Sequence, residues 1–322
     1  MAAEALWIVD REQAELRFEP LAAPRQDEAL VRTLYSGISR GTERLAFGGL
    51  VPPGEYGRMR APMMAGSFPF PVKYGYAAVG RVERGPADWL NRTVFCLHPH
   101  QDRFIAPLSM LAALPEAVPA RRAIFAANME TALNAVWDSG AGPGDRIVVV
   151  GAGVVGLLIA RIAARLPGAR VSVVDVDDSR ADIVEALGAE FALPGAAPTG
   201  ADVVFHASVT PQGLATAIHA AGFEGTIVEV SWFGEGATPV PLGGAFHSQR
   251  LKLISSQVGQ IAPSRRPRWD YARRRDAALS LLTDPALDAL ITEEIDFSAL
   301  PAALPRLFAP GAAGLQTLVR YP

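Results

Sequence analysis

The stretch that decides the fold is Arg146-Ile-Val-Val-Val-Gly151-Ala-Gly153-Val-Val-Gly156. Its β-branched run is typical of a strand that is buried on both faces of a parallel sheet. The glycines match the pattern G-x-G-x-x-G and stand where a strand passes into a helix, the context in which this pattern is informative. Gly151 permits the tight turn, Gly153 lets a pyrophosphate approach the backbone, and Gly156 lets the helix pack against the sheet.

The turn therefore predicts a dinucleotide site. The predicted phosphate contacts are Gly151, Ala152, Gly153, Val154, Val155 and Gly156. The free N–H groups and the partial positive charge of a helix N-terminus favour such a ligand. The alternative is a glycine-rich turn that binds no nucleotide.

An acidic residue stands where a dinucleotide site needs one. Asp175 ends the next predicted strand, 19 residues after Gly156, close to the interval of about 20 that is typical of these sites. Its carboxylate can accept both ribose hydroxyls of NAD and would repel the 2′-phosphate of NADP, as would Asp177 and Asp178. Arg180 favours NADP instead, unless it lies exposed along the adenine. We predict NAD as the cofactor, with NADP as the alternative.

The ends of the later strands should border the same ligand, because dinucleotides bind outside the carboxyl ends of the strands of an α/β sheet. The residues at these ends, all predicted cofactor contacts, are His206, Ala207, Ser208, Ser231 and Trp232. The alternative for His206 is a histidine that is hydrogen-bonded to a loop carbonyl, and we predict no catalytic role for it.

Strand and helix alternate after Pro119, which is the pattern of a doubly wound parallel α/β sheet. The predicted elements are strands at 146–151, 171–174, 201–205 and 226–230, and helices at 121–139, from the glycine turn to 166, at 179–187 and at 212–221. The preceding residues show a strand-and-loop pattern, in which Phe47–Val72 is too rich in glycine and proline for a regular helix or a central strand. A helix at 276–282 and strands at 291–297 and 315–321 complete the chain.

The composition excludes several classes of protein. Half of the 322 residues are hydrophobic and 20% are charged, as in a globular chain and unlike a disordered one. Thirty Lys and Arg against 33 Asp and Glu give a net charge of −3, so we expect no nucleic-acid partner. One cluster departs from this balance: Arg265, Arg266, Arg268, Arg273, Arg274 and Arg275. We interpret this cluster as a solvated surface. The alternatives are that it binds a carboxylate or phosphate of the substrate, or that it contacts a neighbouring subunit.

Cys96 is the only cysteine, so no disulfide forms within the chain and no four-cysteine zinc lobe is present. Met1–Gln13 carries acidic residues early and lacks a long apolar core, so we predict no signal peptide. The longest apolar stretch, Ile147–Ala160, is too short to span a bilayer. We therefore expect a cytoplasmic protein that does not enter a membrane.

Several motifs, in their order along the chain, resemble those of the medium-chain dehydrogenase/reductase superfamily of alcohol dehydrogenase-like proteins. Ser36-Gly-Ile-Ser39-Arg-Gly-Thr-Glu43 resembles the stretch that carries Cys-Gly-x-Cys-x-x-Asp in zinc members. Further along the chain, Lys73-Tyr-Gly75 stands at the position where zinc members have Gly-His-Glu. Ala126-Ala-Asn-Met-Glu-Thr131 resembles the segment that holds the third zinc cysteine and a threonine beside the nicotinamide, which makes Thr131 a predicted cofactor contact. Leu287-Asp-Ala-Leu-Ile-Thr292 resembles the start of the C-terminal return to the first domain.

The resemblance implies a fold, a class of reaction and an assembly. The fold is α/β: a GroES-like, β-rich catalytic domain formed by residues 1–120 and 263–322, and a Rossmann domain with a doubly wound parallel sheet at 121–262. Family members transfer a hydride and are usually dimers or tetramers, so we expect a homodimer or homotetramer. The serine-containing motif is similar to a zinc-lacking branch that includes bacteriochlorophyllide hydroxyethyl dehydrogenases, although Gly-Tyr-Glu is expected there in place of Lys73-Tyr-Gly75.

The chain departs from the zinc members at the metal. Ser39, Tyr74 and approximately Ala127 stand at the positions of the catalytic ligands, and these side chains make no tetrahedral zinc site. We therefore expect no zinc. His98 and His100, together with Cys96, could invite a metal from one strand. The alternative is a polar turn in which each imidazole is hydrogen-bonded locally.

Without zinc, another group must polarise or protonate the carbonyl oxygen during hydride transfer. Tyr74 is the first candidate because it replaces a metal ligand, and a free tyrosine is a proton donor at neutral pH. Ser39 or Thr42 could relay a proton, and Glu130 could orient one. The alternative is that Tyr74 and Tyr76 pack on one face of a strand with satisfied hydroxyls.

The predicted function is a zinc-independent, NAD(H)-linked oxidation of an alcohol to a ketone, or its reverse, on a small apolar molecule. An NAD(P)H-dependent enone or quinone reductase is one alternative, and a non-catalytic dinucleotide-binding module is another. The residues that suggest an apolar pocket, which are as often plain core, are Tyr56, Met59, Met63, Met64, Phe68, Phe70 and Trp232.

Overall fold

The computed structural model describes residues 1–234 and 236–322, and the chain divides into two units. The terminal unit consists of Met1–Ala127 and Leu279–Pro322, and the central unit is Asn128–Ala278. Their sheets confirm the predicted α/β class: one unit is β-rich and the other contains a doubly wound parallel sheet. Within these described ranges no helix is both long and apolar enough to cross a membrane.

The central unit is built on a parallel sheet. Its strands, in sheet order, are Glu190–Ala192, Arg170–Val174, Arg146–Val150, Ala201–His206, Ala221–Glu229 and Lys252–Ser255. The strand Arg146–Val150 has neighbours on both sides, and its β-branched side chains from Ile147 onward are buried. The strand order reverses beside it, which is the switch point at which doubly wound sheets bind ligands.

Helices connect these strands and also occur in the terminal unit. The α-helices of the described residues are Thr42–Phe47, Ala126–Ser139, Val154–Ala163, Ala181–Ala186, Pro211–Ala220, Ala245–Ser248, Tyr271–Leu281 and Leu300–Leu307. Val154–Ala163 follows the glycine turn and buries an apolar face. Pro211–Ala220 begins where the Thr210 hydroxyl accepts the N–H of Gly213, with a proline at the first helical position.

The terminal unit contains mainly antiparallel sheets. The strands of the larger sheet, in order, are Ile291–Asp296, Gln316–Arg320, Glu28–Gly37, Ala78–Arg84, Thr93–Cys96 and Ala112–Ala113, with Arg103–Pro107 paired to Glu28–Gly37. Those of the smaller sheet are Gln13–Pro20, Ala2–Asp10, Val72–Lys73 and Ala65–Gly66. The C-terminal strand Gln316–Arg320 pairs antiparallel with Glu28–Gly37, so the two ends of the chain share one sheet.

The sequence predicted some elements of this fold and not others. Phe47–Val72 holds only short pieces of regular structure, as its glycines and prolines require. The hairpin formed by Ala2–Asp10 and Gln13–Pro20 was not predicted, because its second strand is charged and lacks a fully buried face. The predicted helix at 276–282 begins earlier, at Tyr271, because Asp270 accepts the N–H of Arg273 at 2.8 Å and caps it.

Candidate functional site

The glycine turn of the central unit lies at the carboxyl edge of the parallel sheet. Gly151 has φ +112°, and a Cβ there would lie 2.8 Å from backbone atoms of Ala207 and Ser208. A Cβ on Gly156 would lie 2.0 Å from the carbonyl oxygen of Gly151, so only glycine lets the helix start this close to the strand. A Cβ on Gly153 would meet nothing within 4 Å. That open space before a helix N-terminus fits a phosphate.

Asp175 is fixed beside this turn. Its Oδ2 accepts the N–H of Ala152 at 2.6 Å, and its Oδ1 accepts the N–H of Asp177 at 2.9 Å. Each oxygen keeps lone pairs that fit ribose hydroxyls. Arg180 Nε lies 3.1 Å from Asp177 Oδ2, and hydrogen bonds from Ser179, with the Arg180 charge, hold the pKa of Asp177 below its ordinary value. The cation that favoured NADP is therefore already paired with a carboxylate.

The neighbouring strand ends carry hydrogen-bonded side chains. His206 Nδ1 lies 2.7 Å from Glu229 Oε2, and His206 Nε2 lies 2.8 Å from Ser208 Oγ. Ser231 donates its N–H to Glu229 Oε1 at 2.8 Å, and half-buried Trp232 follows it. The His206 ring thus has a carboxylate and a hydroxyl as partners rather than the loop carbonyl that the sequence allowed. Glu229 was not among the residues predicted from the sequence.

The sheet register places most of the predicted cofactor contacts at one edge. The strand-end residues aligned with one another are Val150, Val174, His206, Glu229 and Ser255. The glycine turn, Asp175 and the segments 206–208 and 231–232 all stand at or just beyond this level. Thr131 lies in the helix Ala126–Ser139, next to Glu130.

In the terminal unit, Tyr76 rather than Tyr74 carries the hydroxyl that meets the predicted serine. The Tyr76 hydroxyl donates to Ser39 Oγ at 2.5 Å, and the Thr42 side chain is a second hydrogen-bond partner. Burial and then the nearby Glu43 carboxylate raise the pKa of Tyr76 to about 12. The hydroxyl is therefore protonated throughout the neutral range and can act as a donor.

Tyr74 has a different environment. Its hydroxyl donates to the carbonyl oxygen of Met59 at 3.1 Å, and its side chain is buried. Its ring contacts those of Phe68 and Tyr76, with centroids 5.5 and 6.2 Å away. Burial first, and then the neighbouring Tyr76 hydroxyl and the Glu43 carboxylate, raise the pKa of Tyr74 well above its ordinary value. The catalytic role of Tyr74 stays a prediction, with its proton directed at a backbone carbonyl.

A buried chain of polar side chains continues from the serine. Glu43 Oε1 accepts the N–H of Ser39 at 2.9 Å, and Glu43 Oε2 lies 2.9 Å from His100 Nε2. His100 Nδ1 lies 2.7 Å from Ser36 Oγ, which lies 2.9 Å from the Tyr321 hydroxyl. These contacts join segments that are far apart in the sequence. Motif spacing therefore gave no signal for the Glu43–His100 pair.

Two further candidates have structural partners. Glu130 belongs to the central unit, where Arg274 Nε lies 3.1 Å from its Oε1 and burial raises the pKa of the carboxyl. His98 stacks on Phe104 with ring centroids 3.9 Å apart, and its Nδ1 lies 2.9 Å from the carbonyl oxygen of Pro99. Burial lowers the pKa of His98 to about 3. His98 is therefore bonded locally, whereas His100 is bound to a distant carboxylate.

The residues at the expected zinc positions do not fit the metal. Ser39, Tyr74 and Ala127 supply two hydroxyls and a methyl group, whereas zinc needs thiolate, imidazole or carboxylate ligands. Over residues 1–234 and 236–322, no three His, Cys, Asp or Glu side chains are grouped so that they could hold a metal ion. The imidazoles of His98 and His100 bind the Pro99 carbonyl and the Glu43 carboxylate respectively.

Comparison with known sequences identifies relatives. Residues 154–271 match a family model described as zinc-binding dehydrogenase. The chain is 26% identical over 202 residues to D-guloside 3-dehydrogenase of Escherichia coli (strain K12). That match covers 58% of each chain, so it spans about three fifths of the relative's length.

Solved structures share the fold over nearly the whole chain. A Sinorhizobium meliloti 1021 protein bound to NADP has a TM-score of 0.79 and 19% identity, with 99% of each chain covered. A short chain alcohol dehydrogenase of Escherichia coli CFT073, complexed with NADH, has a TM-score of 0.79 and 16% identity at the same coverage. At these identities the likeness establishes the fold alone.

Proposed function

We propose that the chain, which is similar to alcohol dehydrogenase-like proteins of the medium-chain dehydrogenase/reductase superfamily, is an NAD(H)-linked oxidoreductase that interconverts an alcohol and a ketone without zinc. The observation that carries the proposal is the carboxyl edge of the central unit, where Gly153 leaves open space and Asp175 is fixed beside it. The NADP and NADH bound to structures of the same fold support a nicotinamide cofactor.

The charges at this edge favour NAD over NADP. A 2′-phosphate at the adenosine ribose would face Asp175 and Asp177, whereas two ribose hydroxyls would donate to Asp175. Arg180, which could have offset this repulsion, is paired with Asp177 at 3.1 Å. The bound nicotinamide supplies or accepts the hydride, and the chain's own groups must manage the proton.

We assign the proton to the hydroxyls of Tyr76 and Ser39, with Thr42 as their neighbour. Because its pKa is raised to about 12, Tyr76 is protonated at neutral pH and suits delivery of a proton to a carbonyl oxygen on which negative charge develops. Glu43 positions Ser39 by accepting its backbone N–H. Tyr74 is the alternative donor.

The proposed substrate is a small molecule with an apolar body. The predicted pocket residues that pack together in one apolar cluster of the terminal unit are Tyr56, Met59, Met64, Phe68 and Phe70. We also propose residues 1–120 with 263–322 as the catalytic domain, residues 121–262 as the nucleotide domain, and a homodimer or homotetramer as the assembly. The donor set at the family's zinc positions does not fit the metal, so no step of the reaction is assigned to zinc.

The test follows the absorbance of reduced nicotinamide with NADH and NADPH, across ketones, aldehydes, enones and quinones. Consumption of NADH with ketones is the expected result. Turnover confined to enones or quinones would favour the reductase alternative. Tight NADH binding without turnover of any acceptor would favour a non-catalytic module, and absence of NADH binding would overturn the cofactor assignment.

A further inference from the structure

The segment after the last strand of the parallel sheet concentrates positive charge on a chain whose net charge is −3. Residues 263–276 include two aspartates, Asp270 and Asp276, and the following arginines: Arg265, Arg266, Arg268, Arg273, Arg274 and Arg275. We call this segment the arginine patch. A cluster of positive side chains on a protein with a net negative charge calls for a physical explanation.

Most of this charge is not neutralised within the central unit. Arg274 and Arg275 are the exceptions. Arg274 is buried with Glu130 at 3.1 Å and Asn134 at 3.0 Å, and the charge of Arg275 also acts on Glu130. The guanidinium groups that form no ion pair with a carboxylate of the described residues are those of Arg265, Arg266, Arg268 and Arg273. Two carboxylates lie near the patch: Asp270 accepts the backbone N–H of Arg273, and Asp138 accepts the Ser256 hydroxyl and interacts with the charges of Arg266 and Arg274.

Aromatic rings hold two of these guanidinium groups in place. Trp137 and Trp269 lie with ring centroids 4.6 Å apart. Arg265 lies over Trp137 at 5.3 Å, and Arg273 lies over Trp269 at 4.1 Å. A guanidinium that stacks on an indole face keeps the N–H groups of its edge available for hydrogen bonds. Arg273 Nη1 donates to the carbonyl oxygen of Arg268 at 2.5 Å, which leaves its Nη2 and Nε groups for a carboxylate or phosphate. Two guanidinium groups of the patch are therefore held in place before any ligand arrives.

The segment that leads into the patch begins at the edge of the sheet where the predicted cofactor contacts stand. There the Ser256 hydroxyl donates to Asp138, the residue after Trp137, on which Arg265 stacks. Ser256 donates its N–H to the carbonyl oxygen of Glu229 at 3.0 Å, and Glu229 Oε2 lies 2.7 Å from His206 Nδ1. The chain then runs along the helix Ala126–Ser139, where the N–H of Ala262 donates to Asn134 Oδ1 at 3.2 Å. Ligands of doubly wound sheets bind outside this carboxyl edge.

The strand order argues against the cofactor as the ligand of the patch. Lys252–Ser255 stands four positions along the sheet from Arg170–Val174, the strand that Asp175 follows. Four strand spacings are about 19 Å. A 2′-phosphate beside Asp175 is therefore remote from the strand that leads into the patch.

We propose that the arginine patch binds an oxyanion, a carboxylate or a phosphate, on the substrate of the oxidoreductase, so that the substrate carries an acidic group in addition to the reacting carbonyl. The patch fixes that group through Arg265, Arg266, Arg268 and Arg273. This inference rests on the proposed function, because it names the substrate class of that reaction.

The first test measures binding without turnover. Isothermal titration calorimetry with inorganic phosphate, on protein saturated with NADH so that the glycine turn is filled, should show saturable binding that weakens as salt is added. The variant R265Q/R268Q should bind phosphate at least about tenfold more weakly. The control R25Q/R84Q removes two exposed arginines of the terminal unit and should bind as the wild type does. Equal affinity in the wild type and R265Q/R268Q would overturn the inference.

The second test measures specificity with NADH and a matched pair of ketones, the acid 4-oxopentanoate and the neutral 2-pentanone. The wild type should prefer the acid, and R265Q/R268Q should lose about tenfold of that preference, mainly because the acid's KM rises. An equal effect on both ketones would overturn the inference. The inference would also be overturned if R265Q/R268Q lost only the binding of NADPH. A changed molar mass of R265Q/R268Q in solution would overturn it too, because the arginines would then belong to a contact between subunits.

The two proposals fail differently. If phosphate binding depends on Arg265 and Arg268 but no acceptor is reduced, the oxidoreductase proposal fails and the oxyanion site stands. If ketones are reduced but phosphate binding does not depend on these arginines, the oxyanion site fails and the oxidoreductase stands.

Discussion

The glycine turn of the central unit and the hydroxyl cluster of the terminal unit are built in opposite ways. The turn occupies six consecutive residues, Gly151–Gly156, and works because side chains are missing from it. The hydroxyl cluster consists of side chains from distant segments: Ser36, Ser39, Glu43, Tyr76, His100 and Tyr321. Substitutions that add atoms should therefore impair the glycine turn, whereas substitutions that remove atoms should impair the hydroxyl cluster. Both expectations can be tested.

The largest effect is expected for Gly156→Ala. Its Cβ would lie 2.0 Å from the carbonyl oxygen of Gly151, a backbone atom that cannot rotate away. We expect the free energy of unfolding to fall by about 3 kcal/mol or more and NADH binding to be lost. Urea unfolding and NADH fluorescence titration measure both.

Gly153→Ala is the matched control, because its Cβ meets nothing within 4 Å. It should leave the free energy of unfolding within about 1 kcal/mol of the wild type, yet weaken NADH binding by occupying the space proposed for the pyrophosphate. Equal unfolding penalties at the two positions would contradict the close-approach argument.

The same contrast explains how much the sequence could predict. The turn is a local pattern, so its strand, helix and glycines were readable from consecutive residues. The pairing of His100 with Glu43 joins residues 57 positions apart, and that of Ser36 with Tyr321 joins residues 285 apart. Such contacts depend on which strands become neighbours, which motif spacing does not encode.

Tyr74 and Tyr76 illustrate this most directly. The sequence favoured Tyr74, because it stands where zinc members carry a ligand. The hydroxyl contact with Ser39 belongs to Tyr76, two residues further on. Residues two apart in an extended segment share a face, so a pattern alone could not separate them.

Removal of one oxygen should have the next largest effect. Tyr76→Phe deletes the proposed proton donor, so kcat for ketone reduction should fall by roughly 10²–10⁴-fold with little change in the Kd of NADH. Tyr74→Phe is the control and removes only the bond to the Met59 carbonyl. Steady-state kinetics of the two variants decide between the candidates: a large loss in Tyr74→Phe alone would return the donor role to Tyr74.

A smaller effect is expected for Asp175→Asn, which removes charge from the edge of the glycine turn. The amide oxygen can still accept one N–H, but the repulsion of a 2′-phosphate is reduced. The ratio of kcat/KM for NADPH to that for NADH should rise by about tenfold. Asp182→Asn, at an exposed position of the helix Ala181–Ala186, should leave the ratio unchanged.

The smallest effect is expected for Glu43→Gln. This substitution also best distinguishes an effect of the Glu43 charge from a structural role of the side chain. The amide keeps the size of the side chain and can still accept the N–H of Ser39. Because the Glu43 charge helps to raise the pKa of Tyr76, its removal should lower that pKa and increase the phenolate fraction at any pH below it. Alcohol oxidation needs a proton acceptor, so it should become a few-fold faster at fixed pH, roughly two- to fivefold.

Ketone reduction should change little in Glu43→Gln, because Tyr76 stays protonated in the neutral range. A purely structural role for Glu43 predicts the opposite pattern, in which both directions slow together. The pH profiles of oxidation for the wild type, Glu43→Gln and the double variant with Tyr76→Phe distinguish these cases. If the Glu43 charge acts through the Tyr76 hydroxyl, Glu43→Gln should shift the pH profile of oxidation towards lower pH, and this shift must vanish in the double variant. A shift that persists in the double variant would show that Glu43 does not act on the proton of Tyr76.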